Sequence, residues 1–375
     1  MLFNSFMKNQ NIKILLTGGG TAGSVSPLLA LAEDLRALKG EQMDFCWLGG
    51  YRGPERQMAG DVDIKFVAIS SGKWRRYFSL WNLVDPFLII IGFVQAFFCL
   101  LFWRPKIVLT AGSFIAVPVA LAAFILRIPL LVHQQDVIPG LANKIMAPLA
   151  TVITTVFEKS LIDYGKRALA YGNPVRKIFF SVTPTQHVIP KKTAVIPAYA
   201  GISFHNDRPT VLFLGGGTGA QGLNNLVINA AAELSRTCNL IHLTGRHKNA
   251  SVNLENYQAY EFLNAKTMAE AYAAADLVVS RAGMGVLSEL AALKKPAIII
   301  PMPESHQEAN AQVLAEAKAA VVLAEKRITA EKLSAEVKKL ITNRSALQLL
   351  GNNLHKTVKT DSQSKIARLI LGILK

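Results

Sequence analysis

The chain has 375 residues, of which 51% are apolar, so it can bury more than one core and is not a disordered polymer. Its 41 basic residues against 25 acidic ones give a formal net charge of +16, which points to an anionic partner. The excess lies in residues 1–180 and 326–375 while 191–325 is balanced, which argues against a continuous nucleic-acid-binding stripe.

Short β-rich runs alternate with longer helical runs, the rhythm of a parallel α/β protein. Ile12–Leu16, Asp44–Leu48, Lys65–Ile69, Ile107–Thr110, Leu130–His133 and Thr151–Thr155 read as the strands of a first half. Pro86–Trp103 carries no charge and is long enough to approach a membrane span. Because strand-and-turn units continue on both sides of it, a helix packed on the sheet with its outer face dipping into lipid is expected. Lys73, Arg75 and Arg76, mixed with Trp74, Tyr77, Phe78 and Trp81, are the basic and aromatic set that an anionic membrane surface attracts. Ser181–Arg208, with three prolines and no lasting period, reads as a linker. Thr210–Leu214, Leu240–Leu243, Leu277–Ser280, Ala297–Ile300 and Ala320–Leu323 read as the strands of a second half, and Ser345–Lys375 is helical in pattern.

Cys46, Cys99 and Cys238 are too few and too scattered for a disulfide framework or a local metal motif. The histidines lack metal-ligand spacing, and Met1–Gln10 does not read as a signal sequence. A cytoplasmic setting is expected.

Both halves open alike. "GGGTAG" (Gly18–Gly23) and "GGGTGA" (Gly215–Ala220) each follow a strand and lead into a helix, which suggests two Rossmann-like domains with a cleft between them. Gly18, Gly20 and Gly23 fit the dinucleotide fingerprint, whose glycines let a phosphate approach a helix N-terminus. No acid closes the second strand for a ribose and no Walker lysine is present, so NAD and ATPase readings are poor. "HQQDVIPGLANKI" places polar groups, among them Asp136, directly after a buried strand. "YGNPVR" presents Arg176 from a turn. "SRAGMGVLSELAAL" puts Glu289 one turn inside a helix, where a carboxylate can take both ribose hydroxyls or simply face solvent. "PMPESHQEANAQ" adds His306, Gln307 and Asn310 after the next strand.

Taken together, "GGGTAGSVSP", "GSFIAVPVALAA", "HQQDVIPGLANK", "GNPVR", "GGGTGAQGLN", "SRAGMGVLSELAAL" and "HQEANA" occur in an order that resembles one family. It is the bacterial N-acetylglucosaminyltransferases of peptidoglycan synthesis, peripheral membrane enzymes of glycosyltransferase family 28 that convert lipid I to lipid II. The resemblance implies a glycosyltransferase B fold. Residues 1–180 would form an acceptor and membrane-association domain, 181–208 a linker and 209–350 the UDP-N-acetylglucosamine domain. A C-terminal helix, 351–375, would pack back on the first domain.

It also implies lipid I and UDP-N-acetylglucosamine as partners, with neither metal nor cofactor and no nucleic acid. By that likeness Thr21, Ala22 and Gly23 lie near the donor sugar and diphosphate, Asp136 near the sugar, and Arg176 closes on the donor. Gly217 and Thr218 line the second phosphate turn, and Leu263 contacts the uracil. Met284, Gly285, Val286, Leu287, Ser288 and Glu289 take the phosphates and ribose, while Gln307 and Asn310 face sugar hydroxyls. The family's usual histidine base is replaced here by Ser24, a hydroxyl too weak to serve unaided at neutral pH. Ala22 replaces a glycine and would be strained if that position needed a positive φ. Asp136 is the substitute candidate for the base. Two other readings stay open: a different glycolipid transferase of the same architecture, or a nucleotide-sugar-binding membrane protein with little turnover.

Overall fold

The computed structural model describes residues 11–72, 81–181, 204, 206–216, 219–246, 248 and 252–375. The first half runs β1 (Ile12–Thr17), α1 (Ala22–Lys39), β2 (Met43–Gly49), α2 (Glu55–Gly60), β3 (Lys65–Ala68), α3 (Trp81–Trp103), β4 (Ile107–Thr110), α4 (Ala116–Ile125), β5 (Leu130–Gln134), α5 (Leu141–Met146), β6 (Val152–Thr155) and β7 (Ala168–Ala170). The chain continues with α6 (Ile178–Ser181), β8 (Thr210–Leu214), α7 (Gln221–Leu234), β9 (Asn239–Leu243), β10 (Tyr257–Tyr260), α8 (Ala265–Ala274), β11 (Leu277–Ser280) and α9 (Met284–Ala292). Then follow β12 (Ala297–Ile299), α10 (His306–Glu316), β13 (Val321–Val322), α11 (Ala330–Ile341), α12 (Arg344–Thr357) and α13 (Gln363–Ile373). The proposed linker, the basic-aromatic set Lys73–Tyr77 with Phe78, and Gly217 with Thr218 fall outside the described residues.

Two compact units divide the chain. One takes it as far as Arg176 and again over Asp361–Lys375; the other is Lys177–Thr360.

In the first unit the strands lie in the order β3-β2-β1-β4-β5-β6-β7, every neighbouring pair parallel. Parallel strands covered on both faces read as continuous apolar runs, and β4 and β5 are buried throughout. One face is filled by α1, where Leu28, Leu31 and Leu35 join Ile366, Ala367 and Ile370 of α13 in a single cluster. The C-terminal helix thus packs on the first unit, as the resemblance implies. The stretch 351–375 is not one helix, however. Thr360, Asp361 and Ser362 stand between α12 and α13, and such side chains favour caps and turns over helix interiors.

The opposite face carries α4, and α3 packs against it. The inner side of α3 is specific: Gln95 accepts the Ser70 N–H at 2.7 Å, and Ala96 and Leu100 are buried. Gly92 lies so close to Ser70 that a Cβ there would stand 1.9 Å from its carbonyl oxygen. The outer side exposes Phe87, Ile90, Ile91, Val94, Phe98, Leu101 and Phe102 at helical spacing. Asp85–Trp103 is long and apolar enough to cross a membrane by length and composition. Its polar and small inner face is nonetheless committed to its own unit.

The second unit has the order β10-β9-β8-β11-β12-β13, again wholly parallel. Its core joins Val211 and Phe213 of β8, Val227 and Leu234 of α7, and Leu333 and Val337 of α11. Two strands absent from the expected set, β7 and β10, are short edge strands. β7 has only three residues and β10 is interrupted by Gln258, so neither shows a run long enough to read as a strand.

Candidate active site

Ligands of open parallel sheets bind outside the carboxyl ends of the strands, where the strand order reverses. In the first unit that place lies between β1 and β4; the turn after β1 holds Gly18, Gly19 and Gly20, and the turn after β4 holds Gly112. Gly20 takes φ +81, a backbone that disfavours any side chain. Its N–H donates to Glu55 Oε2 at 3.0 Å, and the Gly50 N–H donates to Glu55 Oε1 at 3.2 Å. Glu55 is fully buried, and a Cβ on Gly19 would fall 2.3 Å from its carboxyl carbon. The anion in the first glycine turn is therefore the chain's own carboxylate. Sequence reasoning missed Glu55, although it looked for an acid after the second strand; the acid stands six residues beyond β2.

After the turn, Thr21 has an extended backbone (φ −142) and Ala22 opens α1. Ala22 has no positive φ, so its methyl costs no strain, and the amides of Ala22 and Gly23 lie in the first turn, where helical amides lack intrahelical partners. Ser24 Oγ shares its hydrogen between the carbonyls of Gly19 and Thr21, at 3.1 and 3.2 Å. After β4, Ser113 sits at φ +95, a backbone few non-glycine residues adopt. Beside it Asn143 Oδ1 is buried without a hydrogen-bond partner among the described residues, while Asn143 Nδ2 donates to Gln134 Oε1.

Asp136 is half-buried in the loop after β5. Its carbonyl accepts Gln134 Nε2 at 2.6 Å, which fixes the loop. Deeper, His133 bonds Thr154 Oγ1 at 2.9 Å and Asn173 Oδ1 at 2.8 Å. An acceptor oxygen at Nε2 requires the proton on that nitrogen. Burial drives its pKa down to about 4 against the opposing bond to Asn173, so the ring is neutral at pH 7. Arg176 is almost wholly buried and donates from Nε to Glu33 Oε1 of α1 at 3.1 Å.

In the second unit the order reverses between β8 and β11. The turn after β8 includes Gly216 and Gly219, both with positive φ. The turn after β11 leads through Gly283 into α9. The first-turn amides of Met284, Gly285 and Val286 point outward from a helix start, an arrangement suited to anions. The Leu287 side chain is in the core, and Ser288 is buried with its hydroxyl donated to the Met284 carbonyl at 2.6 Å. The Leu287 N–H also donates to the Gly283 carbonyl at 3.0 Å, so both residues support the helix start from inside.

Glu289 is half-buried and accepts the Tyr272 hydroxyl at Oε2, 2.7 Å away. Tyr272, on α8, is fully buried, and burial with the neighbouring Glu289 raises its pKa well above the ordinary phenol value. Nothing in the sequence pattern singled Tyr272 out, since a buried tyrosine on a helix looks like core. Gln307 Oε1 accepts the N–H groups of Ala282 and Met302 at 3.2 and 3.1 Å, which leaves its amide nitrogen as the outward group. Asn310 is fully buried and donates to the Ala282 carbonyl at 3.1 Å, so it stands behind the turn rather than at its surface. Leu263 is half-buried beside Phe262, whose ring lies under the Arg246 guanidinium at 4.6 Å.

The same division appears in comparison with known proteins. The N-terminal domain of glycosyltransferase family 28 matches residues 14–155, and its C-terminal domain matches 210–367. A curated protein of Clostridium kluyveri is 34% identical over 96% of this chain and 98% of its own length. One of Lachnospira eligens is 37% identical over 96% and 98%. Both are named UDP-N-acetylglucosamine–N-acetylmuramyl-(pentapeptide) pyrophosphoryl-undecaprenol N-acetylglucosamine transferase. The fold matches the crystal structure of Acinetobacter baumannii MurG with TM-score 0.69 at 24% identity, over 96% of this chain and 99% of that one. This chain belongs to glycosyltransferase family 28.

Proposed function

We infer that this protein transfers N-acetylglucosamine from UDP-N-acetylglucosamine to lipid I, giving lipid II, by direct displacement with inversion at the anomeric carbon. The observation that carries this is the end-to-end likeness to curated transferases of that activity at 34% and 37% identity. The first-turn amides of α9 offer hydrogen bonds and a helix dipole to the donor diphosphate as UDP leaves. Glu289, held by Tyr272, takes the ribose hydroxyls, and Leu263 meets the uracil. Gln307 presents its amide nitrogen to the sugar, and Asn310 braces the Ala282 turn from behind. Gly217 and Thr218 are assigned to the second phosphate turn on likeness alone. Arg176 and the start of α1, Thr21 to Gly23, complete the donor contacts.

Ser24 is a hydrogen-bond donor to backbone and not a base, so the acceptor hydroxyl needs another group. Asp136, on a loop fixed through Gln134, is the proposed one. The apolar outer face of α3 is the proposed contact with the cytoplasmic membrane surface, alongside the basic residues Lys73, Arg75 and Arg76.

The test is a panel of purified protein with UDP-N-acetylglucosamine or UDP-glucose as donor and lipid I or diacylglycerol as acceptor. Transfer confined to UDP-N-acetylglucosamine with lipid I is expected. Transfer to diacylglycerol would assign a different glycolipid transferase. The replacement at Ser24 favours a second reading, a nucleotide-sugar-binding protein, and donor binding with no transfer to either acceptor would establish it.

A further inference from the structure

We propose that Glu55 is a positioning residue for the transfer reaction: its carboxylate fills the anion seat of the first glycine turn and sets the start of α1. This rests on the transferase reading above. Three observations converge. Glu55 is fully buried, and each carboxylate oxygen accepts a backbone amide, Gly20 on one side and Gly50 on the other. The carboxylate occupies the space that glycine leaves at two positions, since a Cβ on Gly19 or Gly53 would come within 2.3 or 2.2 Å of its atoms. The carboxylate also stands at the first turn of α2 and beside the approach to α1, where two helix starts favour negative charge.

The consequence is a division of labour between two similar glycine motifs. In the first unit the amide that a substrate phosphate would seek at Gly20 is already taken by the chain itself. What the turn delivers is geometry. The Gly20 N–H is held by Glu55, and the carbonyl of its neighbour Gly19 accepts from Ser24 Oγ. Glu55 thereby fixes Thr21 to Ser24 without touching a substrate. An amide in place of the carboxylate would keep the shape but offer only one acceptor oxygen. Its NH₂ would then face one of the two backbone N–H groups.

The experiment compares wild type with Glu55→Gln, reading kcat, both KM values and melting temperature. The inference predicts a kcat reduced at least tenfold, a rise in the KM for UDP-N-acetylglucosamine smaller than that fall because Thr21 to Gly23 are only some of the donor contacts, and a melting temperature within a few degrees. Glu55→Asp serves as a second variant, because it keeps the charge but withdraws the carboxylate from the Gly20 and Gly50 N–H groups; it should reproduce the loss of kcat. Both variants should speed hydrogen exchange at the Gly20 and Gly50 amides. An unchanged kcat in Glu55→Gln would overturn the proposal. So would a higher KM for the donor at constant kcat, which would make the turn a donor phosphate site. A rise in kcat would overturn it too, by making the carboxylate a competitor for substrate. Absence of turnover in wild type would instead defeat the transferase reading, and the proposal with it.

Discussion

The Tyr272 hydroxyl donates to Glu289 Oε2 at 2.7 Å, tying the core of α8 to the outward carboxylate of α9. The bond fixes one oxygen of the carboxylate proposed to take the ribose hydroxyls. Tyr272→Phe removes it without opening a cavity. A lost hydrogen bond of about 1 kcal/mol corresponds to about a fivefold rise in KM for UDP-N-acetylglucosamine. The KM for lipid I should stay constant in the same steady-state titrations.

Ser24→His supplies a group that titrates near neutrality at the third residue of α1, where the hydroxyl now serves only backbone carbonyls. General-base catalysis contributes about 10²–10⁴-fold, so kcat should rise at least tenfold above pH 7 and fall as the imidazole protonates. Asp136→Asn in the wild-type background should lower kcat by a similar factor. If Ser24→His changes nothing while Asp136→Asn abolishes turnover, the histidine position has lost its role in this protein.

Ser113 holds φ +95 in the turn after β4. Such a backbone costs a non-glycine residue about 1–3 kcal/mol. Ser113→Gly should therefore raise the denaturant midpoint of the first unit with no change in the slope. A lower midpoint would mean that the Ser113 hydroxyl, which accepts the Ile115 N–H at 3.3 Å, outweighs the strain.

Each unit buries a histidine whose pKa is pushed down to about 4 by desolvation: His133 in the first and His242 in the second. Between about pH 4 and 6.5 the unfolded chain holds protons at these sites that the folded chain does not. Stability should thus rise with pH across that window and level off above it, with roughly 3 kcal/mol at stake per histidine. Proton NMR titration of the two rings should give midpoints near 4; midpoints near 6.5 would remove the effect.

The exposed face of α3 gives a direct test of the membrane proposal. Ile91 and Phe98 are exposed on α3, whereas Ala96 and Leu100 are buried. Changing both to glutamate removes apolar contact worth about 1.5–3 kcal/mol per residue if fully buried in lipid. Co-sedimentation with anionic vesicles should weaken at least tenfold, with the melting temperature preserved. Unchanged vesicle binding would place the contact elsewhere.

The parallel architecture was legible because its central strands are apolar runs punctuated by glycine turns, as at Ile107–Thr110 and Thr210–Leu214. β7, three residues long, and β10, with Gln258 inside it, carried no such signal. Among the candidate site residues, those on helices that directly follow strands announce themselves by position, Glu289 and Gln307 among them. Partners that act across the chain do not. Glu55 meets Gly20 from 35 residues away, and Tyr272 meets Glu289 from a neighbouring helix. Nor does a motif distinguish a side chain at the surface from one behind it: Asn310 and Ser288 share the site's sequence signature yet are buried.

The most direct measurement incubates the purified protein with lipid I and UDP-N-acetylglucosamine and follows UDP release and the lipid product by mass spectrometry. The account predicts one N-acetylhexosamine added to each lipid I consumed, with one UDP released per transfer. UDP release without a glycosylated lipid, or donor binding with neither product, would contradict it.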